Sequence, residues 1–153
     1  MICNRTEIKA ITDELKQSGQ KIVFTNGCFD IIHSGHVIYL TKAHELGDYL
    51  IVGLNDDASV GRLKGTGRPI NNQDDRAIVL DALKPVDFVV MFSEDTPFEL
   101  ISIIMPDILA KGGDYSFDTI VGADLVAQNG GDVVVIPLVE GKSTTSIINR
   151  MQG

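Results

Sequence analysis

Hydrophobic and polar residues form alternating blocks along the chain, and these blocks predict strands and helices in turn. Continuous apolar runs predict five strands, at residues 21–25, 49–54, 88–92, 108–110 and 133–136. Helical spacing of apolar residues predicts helices at 6–18, 34–46, 58–63, 72–83, 97–104, 120–128 and 143–151. Because unbroken apolar strands are typical of sheets covered on both faces, the pattern predicts an α/β fold, a doubly wound (Rossmann-like) five-stranded parallel sheet with helices on both faces.

The length of the chain favours a single domain. Its 153 residues, 44% of them hydrophobic, suffice for one full core and are too few for two ordinary domains. The sequence contains no internal repeat, low-complexity run or linker. We therefore predict one domain over residues 1–153, in which residues 1–20 form an N-terminal helical extension.

Charge and composition narrow the class of partner. A formal net charge of −8 argues against a general surface for nucleic acid or anionic membranes, because both require a basic face. No apolar run is long enough to span a bilayer, and the first ten residues lack the apolar core of a signal peptide. Two cysteines form neither a disulfide framework nor a metal cluster, so we expect a cytoplasmic, reduced protein.

The segment 26–36, Asn-Gly-Cys-Phe-Asp-Ile-Ile-His-Ser-Gly-His, connects the first predicted strand to a helix. Free backbone N–H groups and the helix dipole make such a turn an anion site, to which His33 and His36 add donors. Ser34 is the predicted N-cap, and Gly35 permits close backbone approach. A lone histidine would more often cap a carbonyl or pack in the core, but the His-x-Gly-His pair after the first strand favours phosphate binding.

A second anion-binding helix start is predicted at residues 142–145, Lys-Ser-Thr-Thr, after the last strand. A plain cap by Ser143 or Thr144 is the alternative. Parallel strands bring their carboxyl ends to one edge of the sheet, so this segment and the histidine turn are expected to share a phosphate site. It is not a P-loop, because Ile136 stands where that motif requires its first glycine.

Cationic side chains follow the second strand in a segment broken by Gly65 and Gly67. They are Arg62, Lys64, Arg68 and Arg76, with Lys42 as a weaker candidate from the preceding helix. In so acidic a chain, this clustering predicts a cationic arm that folds over a polyphosphate, although solvated surface charge is an equal alternative for any one residue.

After the fourth strand, the segment 111–114, Lys-Gly-Gly-Asp, offers glycines that a base or ribose can approach and a carboxylate for ribose hydroxyls. A tight turn with an Asx hydrogen bond is the alternative. Two helix starts, a cationic loop and a base-approach loop together predict a nucleoside triphosphate site. Without a P-loop or a carboxylate pair at Mg²⁺-binding spacing, attack at the α-phosphorus is favoured over γ-phosphoryl transfer.

The histidine motif and the Ser-Thr-Thr helix start resemble those of the nucleotidylyltransferase superfamily, over the chain from Lys21 onward. More narrowly, Thr-Asn-Gly-Cys-Phe-Asp at 25–30, Arg-Leu-Lys-Gly at 62–65, Lys-Gly-Gly-Asp-Tyr at 111–115 and Ser-Thr-Thr-Ser-Ile-Ile at 143–148 resemble adenylyltransferase domains of the ADP-heptose synthase family. That resemblance implies transfer of AMP from ATP to D-glycero-β-D-manno-heptose 1-phosphate, with release of pyrophosphate, in lipopolysaccharide core assembly. It also implies a homo-oligomer.

The resemblance implies roles for individual residues. His33, His36 and Lys64 are the expected catalytic residues. The expected ATP-binding residues are Asn26, Gly27, Cys28, Phe29, His33, Gly35, His36, Lys111, Gly113, Asp114, Ser143, Thr144 and Thr145. The expected sugar-phosphate-binding residues are Asp30, Lys64, Arg68 and Arg76, with Asn26 able to meet the sugar side. Mg²⁺ is expected to bridge the phosphates with little protein ligation.

Two other functions fit the same residues. A cytidylyltransferase acting on glycerol 3-phosphate or a similar alcohol phosphate shares both superfamily motifs. A nucleotide-binding regulatory module without turnover is a rival of another class, although binding alone would not require both imidazoles at the leaving group. Cys28 is interpreted as a small buried residue of the turn, with a reactive low-pKa thiol as the alternative.

Overall fold

A computed structural model describes residues 1–113 and 115–153 of the protein. Its strands are β1 (Ile2–Cys3), β2 (Ile22–Gly27), β3 (Tyr49–Asn55), β4 (Phe88–Phe92), β5 (Ile108–Gly112) and β6 (Asp132–Ile136). Its α-helices are α1 (Arg5–Gln17), α2 (Ser34–His44), α3 (Asp57–Lys64), α4 (Gln73–Asp81), α5 (Phe98–Ile104), α6 (Ala123–Gln128) and α7 (Thr144–Gln152), with a 3₁₀ turn at Phe117–Thr119. The predicted alternation of strands and helices is confirmed.

The strands form one parallel sheet in the order β1-β4-β3-β2-β5-β6. At its centre β2 pairs with β3 on one side, from Ile22 opposite Tyr49 to Gly27 opposite Leu54, and with β5 on the other. The chain therefore adds β3 and β4 on one side of β2, and then returns to add β5 and β6 on the other side. Such a reversal is where open α/β sheets bind ligands, beyond the carboxyl ends of the strands.

The predicted parallel sheet flanked by helices is confirmed, but the predicted count of five strands is wrong. The sixth strand, β1, consists of Ile2 and Cys3, which pair in parallel with Val89 and Val90 of β4. Two residues are too few to show any periodicity, so the sequence pattern could not predict it. Residues 1–20 thus contain an edge strand as well as α1.

Each face of the sheet packs against its own layer of helices. Two successive residues of β2 illustrate the division. Val23 packs with Leu40 of α2 and Leu80 of α4 on one face, whereas Phe24 packs with Ile8 of α1 and Ile101 of α5 on the other. All six side chains are completely buried. Burial on both faces explains why the strands are continuous apolar runs. None of the helices described is long and apolar enough to cross a membrane.

Candidate active site

A cleft of about 650 Å³ lies at the carboxyl edge of the sheet, where the segments after β2, β3, β4, β5 and β6 converge. Most predicted site residues line it. They are Asn26, Gly27, Cys28, Phe29, Asp30, His33, Gly35, His36, Lys64, Arg68, Lys111, Ser143, Thr144 and Thr145. The structure thus brings the histidine turn, part of the cationic segment and both other predicted loops to one place, as the strand-end rule requires.

The histidine turn caps its own helix. His33, rather than the predicted Ser34, is the N-cap of α2, and its Nδ1 accepts a hydrogen bond from the backbone N–H of Gly35 at 3.1 Å. In return, Nδ1 of His36 accepts from the N–H of His33 at 3.3 Å. The two rings stack with their centroids 3.8 Å apart. Serine leads the usual order of N-cap preference, whereas an imidazole can cap only through an unprotonated nitrogen, which explains the wrong prediction.

These two hydrogen bonds fix the tautomer of both imidazoles. A nitrogen that accepts from a backbone N–H carries no proton, so in the neutral ring the proton lies on Nε2. Burial lowers the pKa of His33, helped by the positive charge of Lys142, and burial together with His33 lowers the pKa of His36 to about 4. Both rings are therefore neutral at pH 7. In the described part of the chain, Nε2 of His33 is buried without a partner, which leaves its N–H for a ligand in the cleft.

The start of α7 docks directly on the histidine turn. The Thr144 hydroxyl donates to the carbonyl of Ile31 at 3.0 Å. A Cβ at Gly35 would lie only 2.8 Å from Cβ of Lys142 and 2.9 Å from the His33 ring, so only glycine fits this approach. Ser143 caps α7 by accepting from the N–H of Ser146 at 3.0 Å. The two predicted anion-binding helix starts are consequently one joined surface.

Asp30 holds the segment that carries Arg68. This carboxylate is 3% exposed and accepts from Nε of Arg68 at 2.8 Å and from the backbone N–H groups of Ile70 and Asn71 at 2.9 Å. Burial on its own would raise the pKa of Asp30, but these hydrogen bonds outweigh it and the pKa is lowered. Because both carboxylate oxygens bind the segment, the arrangement does not support the predicted contact between Asp30 and the sugar phosphate.

Arg76 is not a cleft residue, contrary to its predicted role in sugar-phosphate binding. Its side chain is 1% exposed and donates to the carbonyls of Cys28 at 2.6 Å, Asn55 at 2.8 Å and Asn71 at 3.0 Å. It also donates to the carboxylate of Asp57 at 2.8 Å. A guanidinium committed to four protein oxygens joins the end of β2 to the end of β3, and leaves little capacity for a ligand.

Two cations of the predicted arm do line the cleft. Lys64 is exposed at the last turn of α3, and Arg68 uses Nε for Asp30 while its two Nη groups have no hydrogen-bond partner among the described residues. Arg62 instead donates to the carboxylate of Asp95 at 2.8 Å and to the carbonyl of Ser93. Lys42 is exposed and does not line the cleft. Of the predicted cationic arm, Lys64 and Arg68 are thus the members available to an anionic ligand.

The end of β5 forms another wall of the cleft. Lys111 and Gly112 line it, and Gly113 follows with a positive φ of 104° that favours glycine. Nζ of Lys111 lies 5.1 Å from the ring centroid of Tyr115, and burial lowers the pKa of this lysine. The predicted nucleoside contact of Asp114 falls outside the described residues. Burial chiefly raises the pKa of Cys28, which opposes the alternative of a reactive low-pKa thiol.

Several cleft residues were missed by the sequence analysis. The most polar are Asn55 at the end of β3 and Asp95 and Thr96 after β4, and the most exposed apolar one is Leu138 after β6. The strand-end rule could have indicated Asn55, because it directly follows the apolar run of β3. No motif in the sequence indicated that Asp95 would line the cleft, and only its position shortly after β4 could have suggested it.

The chain is similar to a known protein family and to several curated proteins. The family model described as cytidylyltransferase-like matches residues 24–150. Among curated relatives, the bifunctional protein HldE of Nitratiruptor sp. is 60% identical over 95% of this chain, and that of Wolinella succinogenes is 55% identical over 99%. The chain spans only 31% of the length of either relative.

Two solved structures share the fold. The lipopolysaccharide core biosynthesis protein from Thermoplasma volcanium is 29% identical, with a TM-score of 0.64 over 81% of this chain and 100% of that one. A pantoate-beta-alanine ligase from Francisella tularensis, 16% identical, has a TM-score of 0.64 over 99% of this chain and 77% of its own, and shows likeness of fold alone. From the match over residues 24–150, this chain belongs to the cytidylyltransferase-like family.

Proposed function

We propose that the chain is an adenylyltransferase that transfers AMP from ATP to D-glycero-β-D-manno-heptose 1-phosphate, forming ADP-heptose and pyrophosphate. The observation that carries the proposal is the pair of neutral imidazoles whose Nδ1 atoms are held by backbone N–H groups, beside the start of α7. Relatives named bifunctional protein HldE and a structural neighbour titled a lipopolysaccharide core biosynthesis protein support the choice of acceptor.

The acceptor in this reaction is a phosphate oxygen that is already anionic at neutral pH, so no general base is required. Its attack on the α-phosphorus forms one P–O bond while the bond to the bridging oxygen of pyrophosphate breaks. Catalysis then consists of positioning and of stabilising the charge that develops on the phosphates. Lys64 and the free Nη groups of Arg68 are proposed to hold the acceptor phosphate against the triphosphate.

The leaving group is proposed to form at the histidine turn. The Nε2–H groups of His33 and His36 donate to phosphate oxygens, and fixed donors in a buried site need no reorganisation as charge moves toward pyrophosphate. The backbone N–H groups of Ser143 and Thr144 and the hydroxyl of Ser143 are proposed to bind the β- and γ-phosphates at the positive end of α7, while the Thr144 hydroxyl holds the carbonyl of Ile31. Lys111, which lines the cleft, and Gly113, which follows the cleft residue Gly112, are proposed to contact the nucleoside.

Mg²⁺ is proposed as the cofactor. The described residues contain no group of three or more histidine, cysteine, aspartate or glutamate side chains that could hold a metal ion, so its ligands would come mainly from substrate phosphates. When bound, the ion neutralises phosphate charge. The proposed homo-oligomer rests on the family resemblance, and light scattering of the purified chain tests it.

Pyrophosphate release with four substrate pairs tests the proposed function. ATP or CTP is combined with heptose 1-phosphate or glycerol 3-phosphate, and release is expected with ATP and heptose 1-phosphate. Release only with CTP would overturn the choice of base and favour the cytidylyltransferase. Nucleotide binding without release from any pair would favour the regulatory module instead.

A further inference from the structure

Polar residues line the cleft on one side of β2 and have no part in the reaction scheme above. Asn55 ends β3, and Asp95 and Thr96 follow β4. In the strand order, β3 and β4 lie on one side of the histidine turn, whereas β5 and β6, which carry Lys111 and the start of α7, lie on the other. The side with β3 and β4 also carries Lys64 and Arg68. The cleft therefore has two chemically different halves.

The amide of Asn55 is buried and its orientation is fixed. The residue is 3% exposed, and its Nδ2 lies 2.9 Å from the hydroxyl of Ser59, which is fully buried. That hydroxyl donates its only proton to the carbonyl of Glu94 at 3.1 Å, so toward Asn55 it must accept. The NH₂ group is thus turned onto Ser59. Oδ1, which has no partner among the described residues, is the amide atom left for a ligand in the cleft.

Asp95 supplies a second acceptor on the same wall. Its carboxylate is largely exposed and receives one hydrogen bond, from Nε of Arg62 at 2.8 Å, within the described ranges. Arg62 also donates to the carbonyl of Ser93, so the arginine fixes both the backbone and the side chain of this short loop. The contact between Ser59 and the carbonyl of Glu94 ties the loop to α3. Asp95 and Asn55 are therefore held relative to one another.

We propose that Asn55 and Asp95 bind the hydroxyl groups of the sugar and determine which sugar phosphate the enzyme accepts. This inference rests on the proposed function, since it names the recognition of the acceptor in that reaction. A sugar hydroxyl donates to the amide oxygen of Asn55, and a second hydroxyl donates to the carboxylate of Asp95. Lys64 and Arg68 hold the phosphate end of the same molecule.

The chemistry of this half fits a polyhydroxylated anion better than a triphosphate. A carboxylate near a triphosphate would repel it, whereas a hydroxyl-rich sugar gains from acceptors fixed in place. A site built to accept hydroxyl protons also discriminates strongly, because an analogue that lacks the hydroxyl leaves Oδ1 of Asn55, a residue only 3% exposed, without that partner. Glycerol 3-phosphate, with two hydroxyls on a short flexible chain, would satisfy this wall poorly.

Steady-state kinetics and calorimetric binding of Asp95→Asn and Asn55→Ala test the inference. For each variant, the KM and Kd for heptose 1-phosphate are expected to rise on the order of 10-fold, as for loss of a hydrogen bond to a charged or fixed group. The KM for ATP and the Kd for inorganic phosphate are expected to stay within about 2-fold. Asp124→Asn, an exposed carboxylate outside the cleft, is the matched control and should change none of these constants.

Ser59→Ala tests whether the orientation of the sugar-binding residues matters when no residue that contacts the sugar is changed. It removes the hydroxyl that fixes Asn55 and ties the loop of Asp95 to α3, and Ser59 itself does not line the cleft, so we expect a smaller rise in the KM for heptose 1-phosphate alone. A rise in the KM for ATP instead, or no change with Asp95→Asn, would overturn the inference. Wild-type turnover reports separately on the proposed function. If the wild type binds heptose 1-phosphate without turnover and the variants lose that binding, only the proposed function fails; if it does not bind the sugar phosphate, both fail.

Discussion

The histidine turn and the buried Arg76 both place basic side chains near the ends of β2 and β3, but their hydrogen-bonding groups are used differently. His33 and His36 each give one ring nitrogen to the backbone and keep the other for the cleft, whereas Arg76 gives its guanidinium to four protein oxygens. Both are basic residues close to the same strand ends. The difference teaches that a basic side chain near the proposed phosphate site can stabilise the fold instead of binding a ligand. The number of its N–H donors that have no protein partner distinguishes these two roles.

The largest expected effect is on folding, from Arg76→Met. Removing the guanidinium leaves three carbonyls without their donor, and we expect the free energy of unfolding to fall on the order of 3 kcal/mol. Urea denaturation measures it. Arg150→Met, at an exposed arginine of α7, should change stability by no more than about 0.5 kcal/mol. An Arg76→Met protein as stable as the wild type, with weakened sugar-phosphate binding, would reverse the comparison and restore the predicted binding role.

The next effect is on turnover, from His36→Ala. Because its Nε2–H is proposed to stabilise charge in the transition state, we expect kcat to fall on the order of 10²-fold or more, with the free energy of unfolding affected less than in Arg76→Met. Initial rates of pyrophosphate release measure kcat. His44→Ala, at the other end of α2, is the control and should keep wild-type kcat. Full turnover by His36→Ala would remove the histidine turn from catalysis.

The smallest effect is a dependence of stability on pH. In the folded protein the pKa of His36 is about 4, below its ordinary value of 6.5, so between these values the unfolded chain binds more protons. Stability is therefore expected to be constant above about pH 6.5 and to fall as the pH is lowered toward 5. Urea midpoints at pH 7 and pH 5 measure this decline, and His36→Gln should reduce it. An unchanged decline in that variant would assign it to other groups.

The sequence was most informative where one physical cause dominates. The run 88–92 predicted β4 to the residue, because burial on both faces demands uninterrupted apolar side chains. The positions of the histidine turn and the start of α7 followed from the rule that parallel strands end at one edge. Each of these features depends on a short stretch of chain whose chemistry can be recognised without knowing its neighbours.

The remaining features depend on partners distant in sequence. Whether Arg76 faces the cleft or the interior is decided by carbonyls 21 and 48 residues away, which no local pattern displays. Asp30 was predicted to meet the sugar phosphate, yet its oxygens are taken by amides 40 and 41 residues further along. Asn55 is oriented by a relay through Ser59 to Glu94. Position near the strand ends is therefore predictable, but the direction of each polar group is not.

The hydrogen bond from Thr144 to the carbonyl of Ile31 joins residues 113 positions apart. It has a consequence for the order of events during synthesis. The histidine turn leaves the ribosome early, but the surface that completes it arrives only when residues 142–145 have been made. Contacts this distant in sequence form late and slowly. A growing chain thus exposes its two imidazoles before the proposed triphosphate site is complete, so nucleotide is expected to stabilise the folded chain and not the nascent one.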